Sequence, residues 1–562
     1  MRTLRKCAVA LVTALLLAGC QGTPGDYDVI IRGGTLHDGR GNEPVVTDIA
    51  FSGDRIAAIG DLSGLSGTTE IDAKGLVVAP GFVNMLSWAN ETLIEDGRAM
   101  SDIKQGVTLE VMGEGSSMGP LNDDMKRMAK DRQGDIQYDI EWTTLGEYLE
   151  FLETKGVSVN VASFVGATTL RVHEVGYDDR PASEAELANM QELVRQAMRE
   201  GAMGVGSSLI YAPGNFANTD ELIALVSAAA EFDGAYISHI RSEGSRLEEA
   251  VQELIKIASI TGAPAEIYHL KASGRSNWHK LSNVFDLIES ARGAGLLITA
   301  DMYTYTAGST GLNATMPLWV QDGGHAAWVE RLQDPDIRER VAAEMKQPTT
   351  EWENFFVDAG PENILLIGFR NPDLRHLIGK TLQEVADERG TDPAMTAMDL
   401  VVEDDSRVDA VYFLMSEDNV RRKVAMPWIS FGSDAGAPSA EGLFLESSRH
   451  PRTYGNFARL LGKYVRDDGV IPMREAIRRM TSLPAANIGA YQRGELQEGY
   501  YADIVVFDPT QIQDNATFEE PHQYATGMWH VFVNGEQVLK NGRHTGATPG
   551  RVVRGPGWDG WL

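Results

Sequence analysis

Hydrophobic and polar residues alternate with a period of two near both ends of the chain, and follow longer, helical periods between. Near the start, Tyr27–Arg32, Ile49–Ser52, Arg55–Ile59 and Leu76–Ala79 read as short strands, with Gly33-Gly34 as punctuation. A matching set returns late, at Ala502–Phe507, Trp529–Asn534 and Gln537–Leu539. Strand-rich ends around a long middle predict one composite β-sandwich built from residues 27–80 and 485–555.

Residues 81–484 alternate apolar runs with helical stretches such as Glu184–Arg199 and Asp220–Glu231, each with an acidic first turn. This alternation predicts an α/β fold, a (β/α)8 barrel. Its strands are expected at Phe82–Leu86, Thr108–Met112, Val157–Phe164, Met203–Ser207, Ala235–His239, Ala265–His269, Leu296–Asp301 and Trp428–Ser433. Before the last strand, residues 306–360 carry Gly308, Gly311, Gly323-Gly324 and an amphipathic run near Glu330–Lys346, and are expected to form a lid inserted over the barrel mouth.

Two consecutive strands end in histidine: Ala235-Tyr-Ile-Ser-His239 and Ala265-Glu-Ile-Tyr-His269, each followed by a glycine-containing turn. In a parallel barrel the C-terminal strand ends carry the chemistry, and two neighbouring strands that each deliver an imidazole to that rim form the start of a zinc site. Of eleven histidines, His239 and His269 are therefore the candidate ligands. The others have no such pairing, although His450 lies close to Arg452 in sequence.

Charge narrows the partners. A formal net charge of −30 argues against nucleic acid and against a basic membrane-binding face. The first twenty residues differ from the rest: Arg2, Arg5 and Lys6 precede an apolar stretch from Ala8 to Leu17, too short to span a bilayer and suited to a signal peptide. It ends in Leu17-Ala-Gly-Cys20, which resembles the bacterial lipobox. The expectation is a lipoprotein signal over residues 1–20 and a tether over 21–26. Cys20 would be lipidated, and Gln21 after it implies an outer-membrane anchor facing the periplasm or cell exterior. Membrane contact would run through this lipid only. Cys7 and Cys20 are the only cysteines, so the mature chain has no disulfide and no thiolate for a metal.

Several stretches together resemble the amidohydrolase superfamily: Val29-Ile-Ile-Arg-Gly-Gly34, Val78-Ala-Pro-Gly-Phe82, the two histidine strands, Phe431-Gly-Ser-Asp434 and Gly499–Asp508. Asp301–Ser309, His450-Pro-Arg452-Thr-Tyr-Gly455 and Met480-Thr-Ser-Leu-Pro484 look like its D-aminoacylase (N-acyl-D-amino-acid deacylase) branch. Two departures stand out. Where most relatives carry His-x-His at the end of the first strand, this chain has Leu86, Ser87 and Trp88. Where D-aminoacylases carry Gly-Asn-Cys-Gly on the second strand, this chain reads Gly113-Glu114-Gly115. Nor does Gly204–Leu209 hold a lysine that could be carboxylated to bridge two metals.

The resemblance implies one Zn2+ per chain, held by His239, His269 and Glu114, with Glu110 the alternative third ligand. It implies Asp434 as the proton shuttle, and Lys271, Tyr303, Ser309 and Arg452 around the free carboxylate of the substrate. The expected reaction is hydrolysis of the amide bond of a small molecule, an N-acyl-D-amino acid or small D-residue dipeptide. Hydrolysis of a cyclic amide or imide, as in hydantoinase-like relatives, is the alternative. A lipoprotein that lost His-x-His and only binds a ligand is a third reading.

Overall fold

The computed structural model describes residues 25–561. The expected signal sequence, Cys20 and most of the expected tether lie outside the described residues. Among those described, no helix is long and apolar enough to cross a membrane.

The two chain ends meet in one sheet of nine strands. Its joint is the antiparallel pair of Val77–Pro80 with Ile504–Phe507, in which Ala79 faces Val505. The sheet folds over on itself: Phe51 and Phe532 lie on strands that are not neighbours, yet their rings meet edge-to-face at 5.0 Å. Ile31, Phe51 and Ile56 from the start of the chain share a buried core with Ile504, Val506 and Phe532 from its end. A strand not anticipated from sequence, Gly67–Asp72, adds parallel to Tyr27–Leu36. Its Gly-Thr-Thr-Glu start carries too little apolar alternation to signal a strand.

Eight parallel strands build the barrel: Phe82–Asn84, Val107–Met112, Asn160–Ser163 (continued by Val165–Gly166), Gly204–Ser208, Ala235–His239, Ala265–Ile267, Ile298–Met302 and Ile429–Phe431. The ring closes between the first and last, where Met85 N donates to Phe431 O and Asp434 N to Leu86 O. Several strands are shorter than their apolar runs. Ala265–Ile267 stops two residues before His269, which takes a left-handed φ of +34° and donates its N–H to the Asp301 side chain rather than to a neighbouring strand.

The insertion does not end near residue 360. Gly308–Gly311, Ile364–Gly368 and Asp409–Tyr412 form a three-stranded antiparallel sheet, so the inserted unit runs on to about residue 415. It has its own core, including Leu312, Trp328, Val341, Leu366, Val401 and Tyr412. The reason is register: Ser309 pairs with Val411, a partner about a hundred residues away that no local pattern reveals. The amphipathic run near Glu330–Lys346 is two helices, Gly324–Arg331 and Pro335–Met345, divided where Asp334 caps the second.

Candidate active site

Glu114 reaches the barrel mouth because it is flanked by glycines. Gly113 sits at φ +108°, and a Cβ there would lie 2.3 Å from Phe164 O. Gly115 sits at φ +67°, where a Cβ would meet Ser208 Cβ at 2.4 Å. Only glycine allows both the turn and the close approach of backbones. The chain then leaves the second strand tightly enough to hang Glu114 over the fifth and sixth.

There one oxygen serves two rings. Glu114 Oε1 lies 2.9 Å from His239 Nδ1 and 3.0 Å from His269 Nε2. The imidazoles stand nearly perpendicular, 86° apart, with centroids at 4.4 Å. All three side chains are buried, and their candidate ligand atoms lie within 4.8 Å of one another. Two imidazoles and a carboxylate converging this closely form a donor set suited to zinc, whose bonds to such ligands run about 2.0–2.2 Å.

A second carboxylate, Glu243, sits behind the first. Its Oε1 lies 3.0 Å from His269 Nδ1 and accepts from Lys271 Nζ at 2.5 Å. Its Oε2 is 3.7 Å from His239 Nε2, which has no hydrogen-bond partner. A carboxylate on the far nitrogen of a ligating histidine fixes its tautomer and orientation. Sequence reasoning read Arg241-Ser-Glu-Gly244 only as a turn and missed this role. The available signal was the placement of Glu243 four residues beyond His239.

Burial and Lys271 both act to lower the pKa of His269, but Glu243 and Glu114 outweigh them and raise it to about 10. Burial acts to raise the carboxyl groups of Glu114 and Glu243; their cationic neighbours prevail and hold both well below the usual range. Glu110, the alternative third ligand, does not join the cluster. It accepts from Asn84 Nδ2 at 2.8 Å, deeper in the barrel, and burial pushes its carboxyl up to about 7.

Asp434 follows the eighth strand in a left-handed conformation, φ +50°. Burial raises its pKa, opposed by Arg452, whose Nη1 lies 2.9 Å from Asp434 Oδ2. This contact lacks hydrogen-bond alignment, and Arg452 Nε has no partner either. The guanidinium rests over the Tyr303 ring, 4.5 Å from its centroid. His450 accepts from Arg452 N at 3.0 Å, while its Nε2 lies 2.9 Å from Ala307 O. Burial first, then Arg452, keeps His450 well below its ordinary pKa, so it stands as a neutral brace. Ser309, on the inserted sheet, donates to Ala410 O at 3.1 Å.

Glu114, His239, His269, Lys271, Tyr303, Ser309, Asp434 and Arg452 all line one cavity of about 590 Å3. The eight residues selected from sequence thus meet in a single space, although Lys271 is already paired with Glu243.

Comparison with known proteins shows the family. The sequence pattern of the amidohydrolase family matches residues 69–539. The chain belongs to the amidohydrolase family. Within it the chain groups with the D-aminoacylases: it is 34% identical to the D-aminoacylase of Alcaligenes xylosoxydans xylosoxydans, over 94% of this chain and 97% of that enzyme. The crystal structure of an N-acyl-D-glutamate deacylase from Bordetella bronchiseptica, complexed with zinc and a phosphonate inhibitor, is 30% identical. It superposes with a TM-score of 0.78 over 94% of this chain and 99% of that one. An L-hydantoinase from Arthrobacter aurescens, 15% identical with a TM-score of 0.53 over 94% of this chain and all of that one, shares the fold alone.

The raised pKa of His269 has a measurable consequence. A metal entering the site must displace the proton this ring keeps up to about pH 10. Apparent zinc affinity of the metal-free protein should therefore climb from neutral to mildly alkaline pH, by up to about tenfold per unit for one displaced proton. In Glu243→Gln the climb should shift toward lower pH. Chelator-competition titrations across this range test it; a flat profile would mean that His269 is already neutral.

Proposed function

We propose that this amidohydrolase cleaves the amide bond of N-acyl-D-amino acids or small D-residue dipeptides, with one zinc held by Glu114, His239 and His269. The observation that carries the reading is the convergence of both imidazoles on Glu114 Oε1, inside a cavity that also holds Asp434 and Arg452. The zinc of the Bordetella deacylase and the 34% identity to a D-aminoacylase support it.

When bound there, zinc supplies Lewis-acid polarisation of a carbonyl and brings the ionisation of a water near neutrality. The chain's own residues do the rest. Asp434 is raised by burial and opposed by Arg452, which tunes it to accept a proton and then return it to the departing amine. Without that return an amide nitrogen is a poor leaving group. Arg452 lines the cavity, its buried Nε has no partner, and its guanidinium rests on the Tyr303 ring. With Lys271 and Ser309 it forms the anchor for the free carboxylate of the substrate. A hydantoin ring has no such free α-carboxylate, and the likeness to hydantoinases is one of fold alone.

We also read the protein as anchored by lipid at Cys20 and facing the periplasm or cell exterior. The basic start, the apolar stretch to Leu17 and the Leu-Ala-Gly-Cys20 sequence support this reading.

Purified protein should contain close to one zinc per chain and hydrolyse N-acetyl-D-amino acids in preference to their L forms. Two fully occupied ions would overturn the single-metal site, and activity confined to cyclic amides would overturn the substrate class. Asp434→Asn should keep zinc and fold while turnover falls by ~10²–10⁴-fold, the usual size of a general acid–base contribution. Activity within a few-fold of the parent would assign the proton to another group, and loss of zinc would make Asp434 a ligand. In cells fed a labelled fatty acid, the parent should carry label in the membrane fraction, whereas Cys20→Ala should lose both label and membrane association. An unlabelled parent would exclude the anchor.

A further inference from the structure

Trp88 stands where relatives place the second histidine of His-x-His, yet it is not merely a loss. Its indole Nε1–H donates to Glu114 Oε2 at 2.9 Å. The two oxygens of Glu114 therefore have separate partners: Oε1 faces both imidazoles, and Oε2 is taken by the indole. Packing does not account for the position of this ring, because Trp88 is 42% exposed, unusually open for a tryptophan in a cavity wall.

The backbone that carries the indole is laced at this rim to the strands on both sides of it, the second and the eighth. Ser87 N donates to Val111 O, Trp88 N donates to Ala435 O, and Asp434 N donates to Leu86 O. Ser87 and Ala435 also form a parallel bridge. Trp88 is thus held between the loop that supplies Glu114 and the loop that supplies Asp434.

We propose that Trp88 is a positioning residue for the metal site, holding Glu114 Oε2 so that the carboxylate offers only Oε1 to the ion. This inference rests on the reading of Glu114 as a ligand. Its chemistry is specific. A carboxylate with both oxygens free can close on zinc in bidentate fashion and use the position a hydrolytic site keeps open. An indole N–H blocks that closure with a neutral donor, adding no charge beside the imidazoles. It also fills the place from which a second cation would approach Glu114 Oε2, and Leu86 and Ser87 beside it offer no ligand in compensation.

The test is zinc affinity by chelator competition on the full protein. Trp88→Phe keeps a ring but removes the donor, and should weaken zinc binding by ~10–100-fold, the usual effect of losing a group that orients a ligand. The effect should require Glu114: Trp88→Phe combined with Glu114→Gln should bind no more weakly than Glu114→Gln alone. Parental affinity in Trp88→Phe, or an undiminished further loss in the double variant, would each overturn the role. If the parent itself binds no zinc, the metal-dependent function fails first. A parent that binds normally and matches Trp88→Phe removes only the role of Trp88.

Discussion

The site depends on a single constraint: two carboxylates, two imidazoles and an ammonium are packed together out of water at the barrel mouth. Glu114, His239, Glu243, His269 and Lys271 are each at most 5% exposed. Taking an ion out of water costs several kcal/mol even after relaxation, and the cost is recovered only where geometry is close to ideal. Here each charge meets its opposite: Glu114 lies between two rings, and Glu243 between Lys271 and His269. With either carboxylate, Lys271 or His269 removed, the remaining buried charges lose their compensation. This explains why their positions are over-determined, by glycines on either side of Glu114 and by the Asp301 side chain that captures the backbone of His269.

The same constraint extends to the rim of the first strand. Leu86, Ser87 and Trp88 stand there, and the space is neither vacant nor loose. Leu86 presses so closely on Gly432 that a Cβ there would lie 2.6 Å from Leu86 Cβ. Ser87 Oγ accepts from Ala89 N, and Trp88 donates to Glu114. Each of the three is tied to a neighbour, so the rim is a rigid wall.

Legibility in the sequence followed the range of the interactions. The barrel strands and the histidine pair were readable because each is announced locally, by an apolar run or a strand end, whereas Glu114 came from the family resemblance. Helix Glu184–Arg199 matches its pattern at both ends because Ser183 and Glu186 form a capping box within the same segment. Glu243 was hidden because its meaning lies in Lys271 and His269 on the next strand, and the far edge of the insertion because its sheet is joined by residues about a hundred apart. Strand ends were overextended where a side chain replaced the ladder partner, as Asp301 does beneath His269.

The division of the cavity wall between two units has a further consequence. Glu114, His239, His269, Lys271 and Asp434 stand on barrel strands and their short loops, whereas Ser309 belongs to an inserted unit with its own core. Arg407 and Phe355, which face the same cavity, come from that insertion too. Substitutions in the insertion can therefore alter the shape and charge of the substrate wall while leaving the side chains of the buried charge cluster in place, provided they spare Glu353, which accepts from Glu243 N at 3.1 Å. Changes at the barrel rim have no such freedom, because one hydrogen bond from Trp88 joins that wall directly to Glu114.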